Sequence, residues 1–279
     1  MTVTVHPTAV VDPSAELGEG AEIGPYAVIG PRVTIGGGTR IGPHVVIFED
    51  VRVGAGNFID AGSVIGGAPQ HRKYAGERAF VRIGDRNVIR EHVTIHRGFG
   101  AGTATEIGDD NLLMAAAHVG HNCRIGRDAV IVNGSLLAGF VVVDDQANIS
   151  GLVGVHQYVR IGRLAMVGPV SIVRQDVPPF VVTAGPTASA YGLNTVGLTR
   201  AGVAAAHRNA LKQAFALLYR QRLALPTALA RMDAELGSDP FVREMVVFLT
   251  GGTHRRGIVP WSGGMPPRRE ATESPWRSD

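Results

Sequence analysis

Cysteine is nearly absent. Cys123 stands alone among 279 residues, so no disulfide closes within the chain, as expected of a protein kept in a reducing compartment. Aromatic residues make up 6%, and no apolar run approaches the ~18 residues of a membrane-spanning helix. The opening MTVTVHPTAVV lacks the basic start and long apolar stretch of a secretory signal. These absences predict a soluble, cytoplasmic protein with no integral membrane segment. Aromatic and basic residues do not interleave along the first two thirds of the chain, which argues against a nucleic-acid surface despite the net charge of +3. Charge is instead segregated. Residues 191–279 carry 12 Lys and Arg against 7 Asp and Glu, leaving residues 1–190 mildly acidic with 15 against 17.

What is present is a six-residue beat. Counting by sixes from Val5 reaches an aliphatic residue at 26 of 29 positions up to Val173, and the next residue is often glycine. The exceptions, His71, Glu77 and Ala101, fall in two segments of loop-like composition, GGAPQHRKYAGERAF and RGFGAGTATE. One large aliphatic residue per hexad is the pattern of a parallel β-helix, with three short strands to a coil of about 18 residues. The expectation is an all-β coil over residues 1–190, with excursions near 67–82 and 98–106, whose aliphatic residues stack inward. The Gly or Asp that follows each one is expected to accommodate the corner. Cys123 falls at a hexad position where small buried residues are usual and reads as core. Spacing gives no handedness.

The period ends near Pro178 and Pro179. An α-helical C-terminal domain is expected over 191–252, with helices near 199–222, 227–236 and 239–249, the last with Pro240 as its first helical residue. Residues 253–279 are polar and rich in proline and glycine, and read as a disordered tail.

Hexads specify a scaffold and not a reaction. The local motifs go further: QHRKYAGE at 70–77, IREHVTIHRG at 89–98, DNLLMAAAHVGHNC at 110–123, VHQY at 155–158, QDVPPFV at 175–181 and YGLNTVGLTRAG at 191–202. In this order they closely resemble the acyl-carrier-protein-dependent UDP-N-acetylglucosamine O-acyltransferases, the hexapeptide-repeat enzymes that begin lipid A synthesis. The likeness runs from residue 5 to about 259. It implies a left-handed coil, a homotrimer with sites between subunits, and acyl carrier protein and UDP-N-acetylglucosamine as partners. No cofactor is implied beyond the carrier's phosphopantetheine, and no metal.

The resemblance makes His121 the general base that takes the proton of the sugar 3-hydroxyl, a role suited to imidazole near neutral pH. Gly139 becomes the backbone oxyanion donor, and its spacing agrees, since residues 18 apart lie on adjacent rungs about 4.8 Å from each other. Gln157 continues that column beside His156. The resemblance further assigns Gln70, Lys73, His118, His156, Gln157, Asn194 and Arg200 to substrate binding. Five positions depart from the family: Asn122 replaces the aspartate after the histidine, Phe140 a histidine and His71 a loop aspartate. Val196 replaces an acidic residue, and Pro169 stands where acyl length is thought to be gauged. Two alternatives stay open, an N-acyltransferase acting on a 3-amino sugar nucleotide and a degenerate binding or scaffold homologue. The basic C-terminal part, with Arg208, Lys212 and Arg220, suits an acidic carrier protein.

Overall fold

The computed structural model describes residues 2–252 and 256–263. Each hexad forms one short strand and one corner, and three hexads close a coil. Strands 18 residues apart therefore lie side by side in parallel register, with Glu22 opposite Thr4 and Arg40. Along the described residues this builds three sheets of eleven, nine and eight strands, the faces of a three-sided prism. The aliphatic position of each hexad stacks down the inside: Ile23, Ile41, Ile59, Ile89, Leu113, Ile131, Ile149 and Val167 are all buried. Each such side chain contributes about 1.5–3 kcal/mol of burial.

The residue two places before the aliphatic one fills the corner of the triangle and is small or of valine size, as at Val33, Val45 and Val141. Ala21, Ala27, Ala117, Ala129 and Cys123 are its small occupants, and burial pushes the Cys123 thiol up to about 12. Three consecutive rungs place asparagine there instead. The Asn57 amide oxygen accepts from Asn87 N–H at 2.8 Å, and that of Asn87 accepts from Asn111 N–H at 2.9 Å, so the buried amides satisfy one another as a ladder.

The corner chemistry differs from the expectation. The left-handed conformation falls three residues after the aliphatic position, at Tyr26, His44, Asn122 and Phe140 among others, and not at the glycine that follows it directly. That glycine serves close stacking: a methyl on Gly24 would sit 2.8 Å from the Ile41 carbonyl oxygen one rung away.

The two excursions interrupt the count without breaking the coil. The first lies between strands Val64–Gly67 and Phe80–Ile83 and the second between Thr94–His96 and Ala104–Ile107, so strands run further into both segments than composition suggested. Across the first loop partners are 30 residues apart, as in Phe58 with Val88; across the second they are 24 apart, as in Thr94 with His118. Asp50 anchors the far end of the first loop, accepting paired hydrogen bonds from both Arg32 and Arg78, which hold its carboxyl well below the usual range. Arg97, buried at the start of the second loop, donates to Gly66 O and pairs with Glu49.

A last strand, Ser189–Leu193, turns back antiparallel on Val181–Ala184 and carries the sheet past residue 190. Among the described residues four α-helices follow: α1 Thr195–Arg200, α2 Ala205–Phe215, α3 Leu225–Leu236 and α4 Pro240–Thr250. The single helix expected over 199–222 is thus two, broken where Gly202 takes a φ of +73°, and α2 relaxes into a π-helical turn at Ala216–Arg220. The Asp239 side chain caps α4, with Pro240 first in the helix as read from sequence. Phe180 closes the core by packing on Phe241 of α4, while Arg163 forms a two-pronged pair with Glu244. Residues 256–263, read as tail, instead return to the coil, where Ile258 bridges Asp176 and Trp261 bridges Ala190. The remainder of that expected tail, 253–255 and 264–279, lies outside the described residues. No helix among the described residues is long and apolar enough to cross a membrane.

Candidate active site

The coil leaves one kind of backbone group unpaired at every corner. The residue directly after each aliphatic position donates to the next rung, as Gly120 N–H does to Leu137 O, but the one after that has no ladder acceptor. Proline therefore fits there at no cost, at Pro7, Pro13, Pro25, Pro31, Pro43 and Pro169. His121, Gly139 and Gln157 occupy the same position on three successive rungs, with Phe140 N–H donating to His121 O and Tyr158 N–H to Gly139 O. Among the described residues the Gly139 N–H meets no acceptor, so it is available to a ligand.

His121 is 7% exposed and its ring lies directly over Gly139, where a β-carbon would come within 2.5 Å of Nε2. Its other nitrogen, Nδ1, is 2.9 Å from the Asn122 side-chain oxygen. Phe140 meets the ring edge-on at 5.2 Å between centroids, and His71 and Phe99, from the two loops, each stand 5.7 Å away. The neighbours of this imidazole are thus a neutral amide, another imidazole and two phenyl rings.

His118 points outward from the strand two residues before Gly120 and is held through Nδ1 by Thr94 Oγ1 at 2.8 Å. Burial lowers its pKa, and the nearby His121 adds to the effect. His96 packs against it edge-on at 4.9 Å and is pushed down to about 4, by burial first and then by His118 and His121. The His96 Nδ1 is buried without a partner. The local sequence does not single out His96; its signal is the 24-residue offset that the second loop imposes on this face. Gln70, His118, Ala138, Gly154 and His156 line one open cleft of about 450 Å³. A larger groove of about 820 Å³ lies on a different face, where Arg82 and Arg124 pair with Glu106 and Arg163 with Glu244. That ion-paired groove contains no imidazole, thiol or hydroxyl side chain in its lining.

The remaining residues singled out by resemblance sit apart. Lys73 is exposed on the first loop, and Arg200 is exposed at the end of α1. Asn194 is engaged in structure: its oxygen caps α1 at Gly197 N–H and its amide nitrogen donates to Leu164 O. Among the described residues no three His, Cys, Asp or Glu side chains are grouped as a metal site.

Known proteins share this arrangement of sequence and coil. A family model described as UDP-N-acetylglucosamine O-acyltransferase, domain 2, matches residues 176–259. The bacterial transferase hexapeptide model matches 104–139, and a model of the GMPPB C-terminal domain matches 5–99. The acyl-(acyl-carrier-protein)–UDP-N-acetylglucosamine O-acyltransferase of Anaeromyxobacter dehalogenans is 45% identical over 258 residues, spanning 92% of this chain and all of that one. The enzyme of the same name from Janthinobacterium sp. is 45% identical over 260 residues, 91% of this chain and 98% of its own. Among solved structures, the Francisella novicida UDP-N-acetylglucosamine acyltransferase overlaps with a TM-score of 0.89 at 37% identity, covering 92% of this chain and 94% of that one. The Moraxella catarrhalis UDP-N-acetylglucosamine O-acyltransferase gives 0.87 at 37% identity, with 93% and 100% covered. Overlap of this extent requires the same winding, and the coil is left-handed. The chain belongs to the acyl-carrier-protein-dependent UDP-N-acetylglucosamine O-acyltransferase family.

Proposed function

We propose that the protein transfers a 3-hydroxyacyl chain from acyl carrier protein to the 3-hydroxyl of UDP-N-acetylglucosamine, the first step of lipid A synthesis, with His121 as general base. The observation that carries the mechanism is the pairing of the His121 ring with the free amide of Gly139 one rung away. Nε2 takes the proton of the sugar hydroxyl as its oxygen attacks the thioester carbonyl. The oxyanion accepts from Gly139 N–H. Collapse of the tetrahedral intermediate expels the phosphopantetheine thiolate, which takes the proton back from Nε2. His118, His156 and Gln70 line the cleft beside the base, Gln157 stands exposed at the corner one rung beyond Gly139, and all four are assigned to the sugar nucleotide.

Lys73, Asn194 and Arg200 enter this reading through assembly. A convex coil offers a shallow cleft until a neighbour supplies a second wall, so the active form is a homotrimer with Lys73 and Arg200 reaching across subunits. Asn194 then contributes by fixing α1 and with it Arg200. The reading places the enzyme in the cytoplasm, where acyl carrier protein is found, and asks for no metal or cofactor of its own. For the carrier, Lys212 is the cleanest probe on the basic helices: Arg208 donates to Thr199 Oγ1 and Arg220 lies over the Phe215 and Trp261 rings, so their loss also disturbs packing. Lys212→Glu should weaken carrier binding at low salt, and an unchanged titration removes these helices as the docking face.

A second reading, acyl transfer to a 3-amino sugar nucleotide, is favoured by one feature, the neutral partner of His121. An amine asks less of a base than an alcohol does. The deciding experiment is transfer from 3-hydroxyacyl carrier thioesters to UDP-N-acetylglucosamine and to its 3-amino analogue, with His121→Ala alongside. Turnover of the hydroxyl sugar that vanishes in the variant supports the main reading, and strong preference for the amine supports the second. No turnover of either by a folded trimer leaves a binding homologue.

A further inference from the structure

We propose that Asn122, clamped by the Phe99 backbone N–H, is a positioning residue that fixes the tautomer of His121, so that the second loop sets which nitrogen of the base is free. A side-chain amide has two ends, and either one can face an imidazole. If the NH₂ faces Nδ1, that nitrogen must accept and the proton moves to Nε2, which leaves nothing to take a substrate proton. Here the choice is made by a third group. The Phe99 N–H, 2.7 Å from the Asn122 side-chain oxygen, can only donate, so the atom facing it is the oxygen. The same oxygen is 2.9 Å from His121 Nδ1, which must therefore carry hydrogen and donate. Neutral His121 is the Nδ1–H tautomer, and its lone pair lies at Nε2, over Gly139.

The clamp is secured at both ends. Asn122 N–H donates to Thr105 Oγ1 at 2.8 Å, which fixes the corner from the strand after the second loop. Phe99 is held within that loop, where its carbonyl accepts from Thr103 Oγ1 and its ring packs against His71 with centroids 4.0 Å apart and planes tilted by 35°. The clamp is also uncharged. The titratable groups around His121 are the imidazoles of His71 on the first loop and of His96 and His118 on the adjoining strands. Phe99 and Phe140 complete the surround. Among the described residues no carboxylate is hydrogen-bonded to the ring. Asn122 therefore orients the base with a hydrogen bond and no formal charge.

The corner tolerates the substitutions needed to test this. Asn122 has a φ of +58°, and equivalent left-handed corners elsewhere in the chain carry Asp50, Asp110, Leu152 and Leu164. Asn122→Asp and Asn122→Leu thus place side chains that this coil already accommodates. The first measurement is the ring nitrogen and carbon NMR signature of His121 in histidine-labelled protein above pH 7, assigned by its loss in His121→Gln. Wild type is expected to show Nδ1–H, and Asn122→Leu to revert to mainly Nε2–H.

The catalytic consequence rests on the acyl-transfer reading. Asn122→Leu should lower kcat by about tenfold or more while KM for the sugar nucleotide stays within about twofold. Asn122→Asp should retain kcat and move the acid limb of kcat/KM upward by about one pH unit, because a carboxylate favours imidazolium and only the neutral ring is a base. A wild-type ring protonated at Nε2, or an Asn122→Leu ring that stays Nδ1–H with full kcat, overturns the proposal. If the acyl-transfer reading is what fails, turnover is absent from every variant while the tautomer shift remains.

Discussion

Gly139→Ala tests the site with a single methyl group. The Gly139 backbone is not left-handed, so alanine adds no torsional strain. Its β-carbon would stand 2.4 Å from His121 Cε1, 2.5 Å from Nε2 and 3.0 Å from Nδ1. Carbon atoms rest at about 3.5–4.0 Å, so the ring must retreat by about 1 Å. It has little room, being tied to Asn122 on one side and walled by Phe140 and His71 on others. A misplacement of about 1 Å in a reacting group costs about 100-fold in rate, or about 2.7 kcal/mol of barrier. The assay is initial-rate acyl transfer at saturating carrier thioester, with thermal melting to show that the coil is intact. Gly151→Ala is the control, since a methyl there meets Asn133 O at 3.5 Å, an ordinary contact. A Gly139→Ala enzyme with kcat within about threefold of wild type would refute the reasoning.

Three further outcomes follow from buried groups. His96 has its pKa lowered to about 4 in the folded state, so between there and ~6.5 the unfolded chain binds the extra proton; stability should fall as pH drops through that window, and His96→Gln should flatten the slope of urea midpoints between pH 4.5 and 7. Parallel profiles for the two proteins would remove this account. Asp176 is buried and accepts from Arg160 N–H and from its guanidinium at 2.7 Å, so Asp176→Ala leaves a half-buried guanidinium with only Phe248 O and strands the Arg160 N–H where α4 meets the coil, which should cost about 3 kcal/mol in chemical denaturation. Asn87→Leu leaves the Asn57 oxygen its bond from the residue-87 backbone N–H but strands the buried Asn111 N–H above, for about 1–3 kcal/mol; a loss under about 0.5 kcal/mol would mean that this rung of the ladder is replaceable by apolar packing.

The coil was readable because its rule repeats: the inward aliphatic residue recurs often enough that two loops cannot hide it. What lay beyond the count depended on contacts between rungs. The glycines after the aliphatic residues look like turn residues in sequence, yet the torsion falls two places later and the glycine answers to a carbonyl 17 residues on, as Gly24 does to Ile41. His96 is hidden in the sequence for the same reason, since only the longer register across the second loop brings it against His118. In the helical part, propensity ran through Ala201–Ala204 without showing the break at Gly202. The return of Trp261 to Ala190 rests on pairing between segments some 70 residues apart, which composition does not encode.

The coil also explains why a catalytic column can sit on so regular a scaffold. Its ladder uses the strand amides but leaves one corner N–H per hexad without a ladder partner, and some corners fill that place with proline or cover it with a side chain, as Asp145 does for Arg127. Placing glycine at one such corner and histidine at the same corner one rung below sets a donor and a base about 4.8 Å apart without a new backbone shape. The two loops then supply what a repeat cannot, a direction. Phe99 selects the end of the Asn122 amide that His121 meets, and Gln70 closes the side of the cleft. Regular rungs fix the spacing of the reacting groups, and the interruptions fix their polarity.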